Sequence, residues 1–106
     1  MNKVVLNKSY GGFRIPEAVA KIIATRKAWK GDIDRIVWGT HIDRHDPIVI
    51  AAIEEAKARN DWEPETARKL IELEIYELDE DKYFILEYDG YECVLTPETI
   101  NWRTIK

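Results

Sequence analysis

Apolar residues along this chain fall into runs with distinct spacings, and each spacing predicts a different element. Val4-Val5-Leu6, inside Lys3 to Asn7, is a short β-branched and aliphatic run that reads as a strand. Ile15, Val19, Ile22 and Ile23 recur at i, i+4, i+7 and i+8, which draws one apolar stripe along a helix from about Pro16 to Lys27. Arg26 and Lys27 lie in its last turn, where positive charge is favoured. A second stripe, Val49, Ala52, Ile53 and Ala56, predicts a helix over about Pro47 to Arg59, with Glu54, Glu55, Lys57 and Arg59 on its wet side. Glu65 to Leu70 opens as a helical turn, and Ile71 to Leu78 then alternates as a half-buried strand with a flip near Tyr76. Lys82 to Tyr88, Asp89-Gly90 and Tyr91 to Leu95 read as a β-hairpin, because Asp-Gly suits a two-residue turn that needs positive φ twice. That register sets Tyr88 opposite Tyr91, Leu86 opposite Cys93 and Phe84 opposite Leu95, all six on one face.

Between these runs the chain is polar or glycine-bearing. Ser9 to Phe13 is a loop, Trp29 to Asp34 another, and Asn60 to Pro64 interrupts the second helix. Ile36-Val37-Trp38 reads as a short strand or an extended linker. The expected architecture is α+β in one domain: an antiparallel sheet of three or four strands, with a C-terminal β-hairpin, packed against two helices. With 106 residues the core is small, so a homodimer or higher homo-oligomer is a natural way to cover leftover apolar surface.

Composition narrows the function classes. A net charge of −4 argues against long nucleic acid and anionic membranes, while leaving room for a small phosphorylated ligand in a locally basic pocket. No stretch is apolar for long enough to act as a signal peptide or to span a bilayer, and the expected location is the cytoplasm. Cys93 is the single cysteine, so no intrachain disulfide forms, and its place on the hairpin reads as a buried small apolar residue.

The candidate chemistry concentrates in Thr40-His41-Ile42-Asp43-Arg44-His45-Asp46-Pro47. Asp46-Pro47 reads as a helix start, since aspartate accepts first-turn N–H groups and proline at the first helical position loses no hydrogen bond. One reading ends there, with a capped helix. A second has the helix mouth, Arg44 and His45 bind a phosphate, because unpaired N–H groups and a guanidinium fork match its oxygens. A third takes His41, Asp43 and His45 as ligands of zinc or iron in a hydrolase, although the chain has no third histidine.

Elsewhere, Tyr10-Gly11-Gly12-Phe13 lacks the GK[ST] ending of a P-loop, leaving either a tight connection or a close backbone approach with Tyr10 or Phe13 as stacking faces. Glu72, Glu74, Glu77, Asp79, Glu80 and Asp81 read as a solvated acidic face. Trp102-Arg103 in the tail either docks for stability or carries Arg103 back to a phosphate while a hairpin aromatic stacks a base.

Asn7-Lys8-Ser9-Tyr10-Gly11-Gly12-Phe13, then Asp43-Arg44-His45-Asp46-Pro47, then Glu87-Tyr88-Asp89-Gly90, then Arg103-Thr104 follow one another over nearly the whole chain. In that order they resemble a group of small phage-encoded proteins with NKxYGGF, RxDP and EYDG motifs, similar to the type 1 anti-Thoeris family. The resemblance implies a non-enzymatic oligomer without cofactor that sequesters a cyclic ADP-ribose or cyclic oligonucleotide signal in the host cytoplasm. It further implies that Arg44 and Arg103 hold the pyrophosphate and that Phe84 or Tyr88 stacks the adenine, with neither arginine in the core. This chain departs from the pattern in its tail, where Trp102 precedes Arg103-Thr104, and in its long stretch from Trp29 to Trp38.

Overall fold

In the computed structural model, residues 2–40, 42–78 and 82–95 are described. In chain order they form β1 (Asn2–Asn7), α1 (Glu17–Arg26), α2 (Asp34–Val37), α3 (Pro47–Ala58), α4 (Pro64–Ile71), β2 (Leu73–Leu78), β3 (Phe84–Tyr88) and β4 (Tyr91–Leu95). The architecture is α+β. Among the described residues there are two antiparallel sheets of two strands, β1–β2 and β3–β4, in place of one sheet of three or four. The same described residues form four helices where two were expected. No helix among the described residues is long and apolar enough to cross a membrane.

β1 joins two cores. Val5 packs with α1, α2 and α3, whereas Val4 and Leu6 pack with Leu78, Ile85 and Val94 of the later strands. All three are fully buried, which explains why the run is continuously apolar instead of alternating. Each such burial contributes about 1.5–3 kcal/mol. β2 shares the arrangement: Leu73 and Ile75 face the helices, while Tyr76 and Leu78 face the hairpin. Its alternation is therefore regular, and the flip expected near Tyr76 arises only because both faces are apolar.

Helix α3 starts as its sequence predicts. The Asp46 carboxylate accepts the Ile48 N–H at 2.8 Å and Pro47 opens the first turn. Ile36-Val37 turns out helical, neither strand nor linker. Asp32 accepts the Asp34 N–H through its side chain at 3.0 Å and starts the single turn of α2, whose Ile36 and Val37 are buried. The helical turn expected from Glu65 extends into α4, with Pro64 in its first turn.

The hairpin has the expected register, Phe84 opposite Leu95, Leu86 opposite Cys93 and Tyr88 opposite Tyr91. Asp89 at φ 51° and Gly90 at φ 89° supply the two left-handed positions that its turn requires. Its orientation is the opposite of the one expected. Ile85, Glu92 and Val94 face inward, while Phe84, Leu86, Tyr88 and Cys93 are exposed. Cys93 is therefore a surface thiol, not a core residue.

Candidate functional site

Three of the quoted segments, those around Asn7, Arg44 and Asp89-Gly90, meet in space at the junction of β1 with the hairpin. Asn7 is buried and donates its backbone N–H to the Glu92 carboxylate at 2.8 Å. Its side-chain amide donates to the carbonyls of Gly90 at 2.7 Å and Ser9 at 2.9 Å, and accepts from the Ser9 hydroxyl at 3.0 Å. Gly11 N–H donates to Asp89 O at 3.0 Å. The two loops approach so closely that a Cβ on Gly90 would stand 2.1 Å from the Gly12 nitrogen. Glycine is required there both for space and for its positive φ.

Arg44 closes this clasp. Its two terminal nitrogens hold Glu92 bidentately at 2.5 and 2.8 Å, and one also donates to Val5 O at 3.3 Å. The guanidinium lies 3.6 Å from the centroid of the buried Phe13 ring. Val5 N–H returns a bond to Arg44 O at 2.9 Å, which ties the loop to the outer edge of β1. The arginine expected to stay outside the core and hold phosphate is thus committed to a nearly buried carboxylate. Phe13 likewise lies beneath it and against Gly39, so it is not an open stacking face.

The mouth of α3 is filled from within the chain. One Asp46 oxygen caps Ile48 and the other is ion-paired with Lys27. Burial pushes the Asp46 carboxyl upward, but the Lys27 hydrogen bond and the first-turn N–H groups outweigh it, so it titrates below the usual carboxylate range. His45 Nδ1 lies 2.7 Å from the Tyr83 hydroxyl. Burial, reinforced by the Asp43 carboxylate, holds the Tyr83 phenol above its ordinary range, so that hydroxyl keeps its proton. His45 also borders a shallow cavity of about 290 Å³ with Asn2, Lys3, Pro47 and Glu54. Among the described residues no three histidine, cysteine, aspartate or glutamate side chains gather as a metal site would require. His41, Asp79, Glu80, Asp81, Trp102 and Arg103 lie outside the described residues, so the metal triad and the tail contacts are not placed.

The remaining expected residues lie on the opposite, open face of the hairpin. Tyr88 is 74% exposed, Tyr10 71%, Phe84 59% and Leu86 49%. Tyr10 stacks obliquely on Tyr91, with centroids 5.5 Å apart and planes at 32°. No protein-family model, no curated protein and no solved structure matches this chain.

Beside these rings stands a cation that the sequence reasoning passed over. The Lys8 ammonium lies 4.8 Å from the Tyr91 centroid, 5.0 Å from that of Tyr76 and 4.0 Å from Cys93 Sγ. Among the described residues it makes no ion pair. Burial works against its charge, yet Tyr76, Cys93 and Tyr91 together raise it above the ordinary lysine range, so it remains an ammonium at neutral pH. Its position in the Asn7-Lys8-Ser9-Tyr10 motif was the available signal. Lys8 directly follows a buried strand and comes two residues before an exposed tyrosine. A charged ammonium ringed by phenols, with further aromatic faces alongside, suits an anion that carries a flat ring.

Proposed function

We propose that this protein is a non-catalytic binding protein, a phage anti-defence sponge, that captures a small phosphorylated signal of the cyclic ADP-ribose or cyclic oligonucleotide class. In this reading the ligand lies on the open hairpin face, its phosphate on Lys8 and its base on Tyr10 or Tyr88. The observation that carries the proposal is the Lys8 ammonium held between the Tyr91 and Tyr76 rings without a carboxylate partner among the described residues. The motif resemblance supplies the ligand class. Capture by ring faces and a single cation needs neither a nucleophile–base pair nor a metal.

The test is calorimetric titration with cyclic ADP-ribose isomers and cyclic dinucleotides, followed by heating to release and identify what was bound. Recovery of the intact compound supports sequestration, and a cleaved product overturns it in favour of catalysis. Lys8→Gln should weaken binding and flatten its salt dependence. Tyr10→Ala or Tyr88→Ala should cost about 1–3 kcal/mol where that ring carries the base. Absence of binding to every probe overturns the proposal and leaves a protein-interaction module.

A further inference from the structure

We infer that the corner between α3 and α4 is a separate binding site, and that it takes a small apolar monocarboxylate, a single-ring or short-chain acid. A cavity of about 220 Å³ opens there, walled by Ala56 of α3, by Ala67, Leu70 and Ile71 of α4, and by Trp62 from the connection between them. Every residue of its lining is among those described. The two helices present alanines to this space, and side chains that end at Cβ leave it unfilled. Its size lies below the roughly 300–1,000 Å³ of sites for drug-sized ligands, which sets the small scale of the guest. Its walls are fixed before anything binds. Trp62 donates its indole N–H to Ala56 O at 2.8 Å, and the Arg59 guanidinium lies 3.9 Å from the ring centroid. Asp61 holds that guanidinium bidentately through Nε and Nη2, both at 2.9 Å. An indole held by its N–H and covered by a cation keeps one orientation, so little ordering is left for the ligand to impose.

Charge selects the guest. Lys57 and Arg59 complete the lining and bring two positive charges to it. The Lys57 ammonium donates to Leu70 O at 3.0 Å and to Leu73 O, which fixes it at the end of α4 while its apolar stem covers the wall. Asp61 stands outside the lining and balances one of the two charges, leaving the cavity a surplus of one. It occupies two of the five guanidinium donors, and Nη1 retains two N–H groups to meet a carboxylate. An apolar pocket with one cation in excess matches a molecule with a hydrocarbon body and a single negative charge. A neutral hydrocarbon satisfies only the walls, and an inorganic anion only the cation. The site shares no residue with the open hairpin face, so this inference does not depend on what that face binds.

The experiment titrates the isotope-labelled full chain with butanoate, hexanoate and octanoate, and with hexanol as the uncharged control, following the tryptophan indole N–H resonances by NMR. Octanoate should bind with a Kd of about 1 mM or tighter, and affinity should rise roughly three- to fourfold per added methylene. The Trp62 resonance, identified by its loss in Trp62→Phe, should move most. Hexanol should bind about threefold or more weakly than hexanoate. Ala67→Phe, which sets a ring in the space, should abolish binding. Arg59→Gln should remove the preference for the acid while leaving hexanol binding within about twofold of wild type, and it decides the matter where Ala67→Phe does not fold. The inference is overturned by an absence of shifts at about 10 mM octanoate, by shifts that spare Trp62, or by hexanol binding as well as hexanoate. Undiminished binding by folded Ala67→Phe, or an acid preference that survives Arg59→Gln, overturns it as well.

Discussion

The two faces of one short hairpin invert the usual placement of polar and apolar groups. Inward, Glu92 is buried among Arg44, Asn7 and the β1 backbone. Outward, Phe84, Leu86 and Tyr88 stand in solvent. The inversion has a physical origin. The outer edge of β1 presents backbone groups that must be satisfied once buried, and a carboxylate and a guanidinium reach across to do it. The open face carries no such obligation, so what it displays is available for recognition. Glu87 and Glu92 face each other across the strands, and the chain relieves that repulsion by giving Glu92 an arginine and Glu87 the Gly90 N–H.

Substitutions should separate the two faces sharply. The largest effect is expected from Arg44→Ala, which strands the Glu92 carboxylate and removes the contact with Phe13. Loss of one partner from a buried pair costs about 3–5 kcal/mol, read as a lower urea midpoint. An unchanged midpoint breaks the assignment of Arg44 to the clasp. Gly90→Ala comes next, at about 2–3 kcal/mol, because the added methyl meets the Gly12 backbone and the residue loses its favoured left-handed conformation.

Asp46→Ala should cost about 1 kcal/mol at neutral pH through the lost cap. Because the folded-state Asp46 titrates below its unfolded value, its contribution is full above the unfolded pKa and disappears as pH falls through the depressed folded one. The gap between the wild type and Asp46→Ala should therefore begin to narrow as pH falls below about 4 and close only once pH is below the depressed folded pKa, and a gap that persists in stronger acid assigns the effect to packing. Smallest is Tyr88→Ala, expected within about 0.5 kcal/mol of wild type in the same urea titration, since so exposed a ring adds little to folding.

Much of the fold could be read along the chain, because spacing and turn chemistry are local. The Asp46-Pro47 start of α3, the stripe of α1 and the Asp89-Gly90 register are of this kind. Which hairpin face turns inward was not legible, since Phe84, Leu86 and Tyr88 alternate as cleanly as Ile85 and Val94. The inner set is recognised only once Val4 and Leu6 are placed against it. Arg44 illustrates the same limit for the site. Beside a helix start it reads as an anion contact, and its true partner lies 48 residues away. Lys8 was missed because its neighbours, Tyr76 and Tyr91, come from two later strands.

The bond between Asn7 and Glu92 spans 85 residues. During synthesis Val4-Val5-Leu6 leaves the ribosome well before the hairpin that covers one of its sides, because 85 residues separate Asn7 from Glu92. At about 5–20 residues per second the nascent apolar segment waits roughly 4–17 s before its cover exists. Over that delay one side of β1 lacks its apolar cover, and a fragment ending before residue 84 should bind a chaperone more than the full chain does.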